Sequence, residues 1–160
     1  MEEIEIRSAR AEEAPAISAL VLAVFEACVA PHYGAEGRAT FGHEAAPEAM
    51  AARLAARSDE DRRALVACTR AGDLVGYLEV EKSHIRELFV AGPFQRQGIA
   101  GALLARAFED REEAEVTVNA APNSVKAYAR LGFVPAGPWT TINGLTYQPM
   151  VRRGAPAKPR

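Results

Sequence analysis

Leu88-Phe89-Val90-Ala91-Gly92-Pro93-Phe94-Gln95-Arg96-Gln97-Gly98-Ile99-Ala100-Gly101-Ala102-Leu103-Leu104-Ala105-Arg106-Ala107-Phe108 is the stretch on which the reading of the fold turns. It enters as the end of an apolar strand, Ile85 to Val90, which Gly92-Pro93 cannot continue. It resumes as a helix in which Ile99, Leu103, Leu104, Ala107 and Phe108 recur at helical spacing. The segment Gln95 to Ala100 therefore joins a strand end to a helix N-terminus. Such a junction presents backbone N–H groups without intrahelical partners, and the helix dipole adds partial positive charge. An anion such as a diphosphate suits it. Gly98 lets the chain approach an anion with no Cβ in the way. Ala100 keeps the next turn slim, and Arg96 can add a charge-assisted hydrogen bond.

Outward from this junction, strands and helices alternate. Upstream, Arg63 to Thr69 and Leu74 to Glu81 read as strands around the hairpin turn Arg70-Ala71-Gly72-Asp73. A turn at Lys82-Ser83 leads into the central strand. Ser58 to Asp61 reads as a polar turn, Pro47 to Arg57 as a helix and Pro31 to Phe41 as a loop. Ile17, Leu20, Val21, Val24, Phe25 and Cys28 form the apolar stripe of a first helix. It starts at Glu12-Glu13 with Pro15 and ends near Pro31. Ile4 to Ala9 is a short first strand. Downstream, Arg111 to Ala114 is a polar connection. Glu115 to Ala120 is a strand, parallel to the central one through a right-handed crossover. Asn123 is placed to cap a short helix, and Gly132 to end it. Phe133 to Pro138 and Leu145 to Val151 pair around Asn143-Gly144. The order β-α-α-β-β-β-α-β-α-β-β predicts an α/β chain of the α+β type. Its mixed central sheet has one parallel pair in the middle and helices on both faces.

The totals exclude several classes. With 160 residues, a single domain over 1–151 is expected, with 152–160 as a disordered tail. Hydrophobic residues at 49% and charged residues at 25% suit a soluble globular chain. A net charge of −2 offers no field for nucleic acid or an anionic membrane. Cys28 and Cys68 fall in apolar patterns and read as buried thiols. His32, His43 and His84 lack a metal-ligand spacing, so no metal is expected. The acidic N-terminus has no signal-peptide character, and no uninterrupted apolar run is long enough to cross a bilayer. Cytoplasmic residence is the default expectation.

Three phosphate-binding patterns compete for the central loop. An ATP-type loop needs Lys-Ser or Lys-Thr after its last glycine, and none follows. Gly98-x-x-Gly101 is only a fragment of the dinucleotide fingerprint. The pattern Gln/Arg-x-x-Gly-x-Gly/Ala after a strand matches Gln95, Gly98 and Ala100. On these residues the chain resembles the GNAT superfamily of N-acetyltransferases. A second segment strengthens the likeness: Asn123, Tyr128 five residues on, then Leu131-Gly132-Phe133. The element order is also that of the GNAT fold, from Ile4 to Met150.

The resemblance implies acetyl-coenzyme A as co-substrate. Its pyrophosphate would sit on Gln95, Arg96, Gln97, Gly98, Ile99, Ala100 and Gly101. Its pantetheine arm would lie along Leu88, Phe89 and Val90, where the parallel strands splay, with Asn123 and Tyr128 as further contacts. A strand N–H would stabilise charge developing on the acetyl oxygen, and holding thioester and amine together would supply much of the rate. Attack is direct, in a ternary complex. Tyr128 would protonate the departing thiolate, since a phenol with pKa about 10 lies only slightly above an alkyl thiol at about 8.5.

The amine must lose a proton. Where some relatives place a carboxylate, six residues before the final Val of the central strand, this chain has His84, which titrates near neutrality. Glu79, Glu81 and Glu87 are its rivals. The acceptor is expected between the first two helices and the last hairpin, against His32, Tyr33, Glu36, Phe41 and Trp139, with Glu36 attracting a cationic amine. The expected partner is a small-molecule or peptide amine, and a homodimer is compatible with the pattern. Two alternatives remain open: a non-catalytic acyl-CoA-binding sensor, and a nucleotide-binding domain using the same loop.

Overall fold

The structure is a computed structural model and describes residues 2–56, 61–111 and 115–154. Its strands are β1 (Ile4–Ser8), β2 (Arg62–Thr69), β3 (Leu74–Glu81), β4 (His84–Val90), β5 (Val116–Ala120), β6 (Val134–Pro135), β7 (Thr140–Ile142) and β8 (Leu145–Arg152). Its helices are α1 (Ala14–Val24), α2 (Ala35–Ala45), α3 (Pro47–Ala55), α4 (Ile99–Ala107) and α5 (Val125–Arg130). The strands join in the order β1-β2-β3-β4-β5-β8-β6, with β7 paired to β8. Among the described residues only β4 and β5 run parallel, so the mixed sheet with a parallel pair is the one the element order predicts.

Period-2 alternation sorts the core into two layers. On β2, Leu65 and Ala67 pack with Leu103 and Leu104 of α4. Val66 and Cys68 face the other way, against Ile17 and Val21 of α1 and Met50 and Leu54 of α3. Each large aliphatic side chain buried this way contributes about 1.5–3 kcal/mol.

Two irregularities in β4 shape everything near it. First, β4 and β5 pair only at His84–Thr117 and Ile85–Val118. Beyond that point β4 stays with β3 as far as Val90, and β5 follows β8. The strands splay, and one edge of Leu88–Val90 is left without a strand partner. Second, Val80 opposes Ile85 while Glu79 opposes Glu87, so Arg86 is an extra residue. A bulge of this kind re-aims the side chains that follow it. Ile85 joins the α4 layer, whereas Phe89 packs on the opposite side, and Glu87 turns there with it to meet Arg53 of α3.

Several expected elements are corrected. The segment read as a loop from Pro31 to Phe41 contains the start of α2. Two glycines and few apolar residues leave α2 no stripe to read, and only its Gly37 and Ala45 are buried. Of the expected Phe133–Pro138 strand, only Val134 and Pro135 pair, with Val151 and Met150. The hairpin around Asn143-Gly144 is instead β7 with β8; Pro135 and Pro138 lack the donors a longer ladder needs. The residue capping α5 is Ser124, and no side chain makes the capping hydrogen bond expected of Asn123. Gly132 does end α5, at φ +95°.

After α1 the chain continues as a π-type turn, Phe25–Val29, and a 3-10 turn, Ala30–His32. The helical run Ala11–His32 has a mean hydropathy of 1.8 over its best window. It is therefore long and apolar enough to cross a membrane by length and composition, which the sequence reading did not foresee. Its Ile17, Val21, Phe25 and Val29 are buried against the sheet and its neighbours. The expected turn at 58–60, the end of the expected helix at 57, the connection at 112–114 and the tail beyond 154 lie outside the described residues.

Candidate active site

Where β4 ends, the chain turns sharply into α4. Gly98 caps α4 at φ +83°, and Arg96 is also left-handed at φ +63°. Left-handed residues at such a turn are the conformation from which anion-binding nests are made. A non-glycine residue held there is uncommon. Among the described residues, the N–H groups from Arg96 to Gly101 meet no backbone acceptor. The first bond of the helix runs from Ala102 N–H to Gly98 O, at 3.0 Å. Side chains brace the loop instead: Gln95 Nε2 donates to Val90 O at 2.9 Å, and Gln97 Nε2 to Pro93 O at 3.1 Å.

A cavity of about 800 Å³ runs from this cradle along the splay to α5. Leu88, Phe89, Val90, Gln95, Arg96, Gly98, Ile99, Ala100, Gly101, Asn123 and Tyr128 all line it. Gln97, placed with them by the sequence, does not. Lys126 and Arg130 also line it, and the sequence reading passed over both. Their i,i+4 spacing on one helix face was the available signal. With Arg96 they set three cations around the cradle.

Tyr128 lines this cavity and a second, smaller one. Its ring meets Phe133 edge-on, with centroids 5.4 Å apart. Burial holds its phenol well above the ordinary tyrosine range, so the hydroxyl is protonated and available as a donor.

The second cavity, about 310 Å³, lies between the turn after α1, α2, β4 and the β7–β8 hairpin. Of the residues expected against the acceptor, Tyr33 and Phe41 line it. His32, Glu36 and Trp139 do not. Glu36 belongs to the first turn of α2 and is exposed, and Trp139 is 52% exposed. The acidic groups on this wall are Glu44 and Glu87.

Glu87 is the unusual one. Its side chain is buried, Oε1 lies 3.4 Å from Arg53 Nη2, and Oε2 has no hydrogen-bond partner among the described residues. Burial first, then the neighbouring Glu79 carboxylate, push its pKa up to about 8 against the pull of Arg53 and Arg86. Glu79 is held differently: it accepts from Tyr77 Oη at 2.8 Å and from Arg53 Nε at 3.0 Å, and it pairs with Arg86. Glu81 pairs with Arg62 and Arg86 and lines neither cavity. Glu79 and Glu87 are thus buried members of one ionic cluster, not the solvated strand charges their sequence context suggests.

His84 is not brought to either cavity. It sits at the paired end of β4, opposite Thr117, with Nδ1 2.8 Å from Thr117 Oγ1. Burial and the Arg86 guanidinium lower its pKa. Roughly 10 Å of strand separate it from Leu88. His84, expected as base, thus lies apart from both cavities.

The hairpin is pinned to α2 by backbone contact. A Cβ on Gly37 would fall on Gly144 O, and Thr40 Oγ1 donates to Asn143 O at 2.7 Å. Gly37→Ala is expected to push the hairpin off α2. Stability should fall by about 1–3 kcal/mol, as overpacking does. The acceptor KM should rise at least severalfold with coenzyme affinity unchanged. Thermal melts and separate KM determinations check this, and an unchanged acceptor KM would contradict it.

The sheet opens at a short parallel pair, and an amide cradle and two cavities sharing Tyr128 stand at the opening. The sequence profile described as acetyltransferase (GNAT) domain matches residues 29–153. The chain belongs to this family of acetyltransferases, which act from acetyl-coenzyme A on amine acceptors. Solved structures share the fold at low identity. A GCN5-related N-acetyltransferase from Rhodopseudomonas palustris is 23% identical over 96% of this chain and 97% of its own, with a TM-score of 0.76. PaiA N-acetyltransferase from Thermoplasma acidophilum, in complex with coenzyme A, is 18% identical over 94% and 99%, with a TM-score of 0.78. The ribosomal-protein-S18-alanine N-acetyltransferase of Escherichia coli is 17% identical over 98% and 97%, with a TM-score of 0.62. No curated protein matches the sequence significantly.

Proposed function

We propose that this chain moves an acetyl group from acetyl-coenzyme A to a primary amine by direct attack, with Glu87 as base and Tyr128 as acid. The observation that carries the reading is the meeting of the two cavities at Leu88, Phe89 and Tyr128. One offers unpartnered N–H groups and three cations. The other offers a buried carboxylate with a free oxygen. A binding-only sensor has no use for the second cavity.

The residues fit the coenzyme. The cradle from Arg96 to Gly101 suits its diphosphate, with Arg96, Lys126 and Arg130 to balance charge. The unpaired edge of Leu88–Val90 offers strand-like backbone partners to an amide-bearing arm. When bound, acetyl-coenzyme A supplies an activated acetyl thioester. Glu87 then takes a proton from the incoming ammonium. For an ordinary carboxylate near 4.3 and an amine near 10.4, that transfer is uphill by roughly 8 kcal/mol. A carboxyl at about 8 reduces the gap to roughly 3 kcal/mol. Tyr128 lines both cavities, and its hydroxyl would deliver a proton to the departing sulfur.

The test has two arms. Acetyl-coenzyme A should raise the melting temperature where ATP and NAD do not; a ligand at a hundred times its Kd adds about 2.7 kcal/mol. A mixed pool of primary amines should release free thiol. Stabilisation by ATP or NAD alone would overturn the reading, and coenzyme binding with no thiol release would favour the sensor.

Gly98→Ala tests the cradle. No atom lies within 4 Å of a Cβ built there, so space is not the constraint; the left-handed φ is. That conformation costs alanine about 1–2 kcal/mol, relieved when the loop leaves the cradle shape. Coenzyme Kd should rise by roughly five- to thirtyfold, as measured by calorimetric titration. An unchanged Kd would place the coenzyme elsewhere.

A further inference from the structure

We propose that the acceptor is a small primary monoamine whose nitrogen is tethered by two or three atoms to an aromatic or branched apolar body. The inference rests on the acetyltransferase reading and adds the substrate class.

The walls of the smaller cavity carry it. Phe25 and Phe41 stack with centroids 4.0 Å apart and planes within 6°. Phe41 meets Phe89 edge-on at 5.8 Å, and Tyr33 lies 6.2 Å from Phe25. Tyr147 and Ile142 close the hairpin side. This is a ring-lined wall of the kind that takes another ring face-on or edge-on.

Charge sets the number of ammonium groups. Two carboxyl side chains, Glu44 and Glu87, line the cavity, with Arg86 beside them. Arg86 is itself engaged by Glu79 and Glu81. Beyond a nitrogen held at Glu87 the wall is made of rings, so a second or third ammonium would face them unpaired.

Spacing sets the tether. Glu87 and Phe89 share a face of β4 two residues apart, roughly 7 Å along the strand. A nitrogen against Glu87 therefore places a group two or three atoms away among Phe89 and Phe41. The volume of about 310 Å³ lies at the lower end of ligand cavities and matches one ring with its tether.

The experiment measures free-thiol release with saturating acetyl-coenzyme A and 2-phenylethylamine, 3-methylbutylamine, spermidine or a lysine-containing tripeptide. The kcat/KM for 2-phenylethylamine should exceed those for spermidine and the tripeptide by at least a hundredfold, with 3-methylbutylamine between. Phe41→Leu should lower kcat/KM for 2-phenylethylamine about tenfold and leave coenzyme affinity unchanged, which also reports that the variant is folded. Spermidine or the tripeptide matching 2-phenylethylamine would overturn the proposal, as would an indifferent Phe41→Leu. Coenzyme binding with no turnover of any of these amines would overturn it too. Failure of the coenzyme itself to bind would instead bring down the acetyltransferase reading beneath it.

Discussion

Glu87→Gln is expected to lower kcat/KM by about 10²–10⁴, the range a general base contributes, and to abolish the pH dependence assigned to it. The carboxyl accepts a proton only when ionised. With its pKa raised to about 8, it carries a proton below that value and is idle. Activity of the parent protein should therefore climb as pH rises through about 8 and level off above it. In the variant that limb should vanish. The amide keeps the shape of the side chain, and Arg53 retains its contacts to Glu79 and Glu44 O, so the fold should hold. The readout is a kcat/KM profile from pH 6 to 10 for both proteins. A variant with the parental limb intact would move the base elsewhere.

Tyr128→Phe should cut kcat by about 10²–10³, within the range for loss of a proton donor, while coenzyme Kd stays within twofold. Burial raises the phenol's pKa, so the hydroxyl holds its proton across the working range. A thiolate forming in the same enclosed space is also deprived of water, and its own pKa rises with it. The two groups thus remain matched closely enough for transfer. Phenylalanine keeps the edge contact with Phe133 and removes only the hydroxyl, so stability should be unchanged or slightly higher. Pre-steady-state thiol release separates the chemical step from product release. Equal single-turnover rates in the two proteins would strip Tyr128 of its role.

The segments proposed to hold the coenzyme carried the family resemblance because each is local. The Gln95–Gly101 loop and the Asn123–Tyr128 segment each lie in one continuous stretch, and a helix N-terminus advertises its chemistry through glycine and periodicity alone. The acceptor half was not legible in the same way. Its walls come from segments far apart in the chain: Phe25 after α1, Phe41 and Glu44 on α2, Glu87 on β4 and Tyr147 on β8. Helix α2 itself was hidden, because its two glycines serve contact with the hairpin rather than an apolar stripe. Glu36 was expected to face the acceptor as part of a loop, and the helix turns it away.

By itself the sequence determined the mixed sheet, its parallel pair and the strand–loop–helix junction proposed to hold an anion, since alternation, crossover handedness and the needs of a helix start are local rules. Only the tertiary structure decided which carboxylate enters the acceptor cavity. Strict alternation would put Glu87 on the same side as Ile85. The extra residue Arg86 reverses the phase, and Arg53 from a different helix arrives to hold the buried charge. A bulge is set by the pairing between two strands, which no single stretch of residues records.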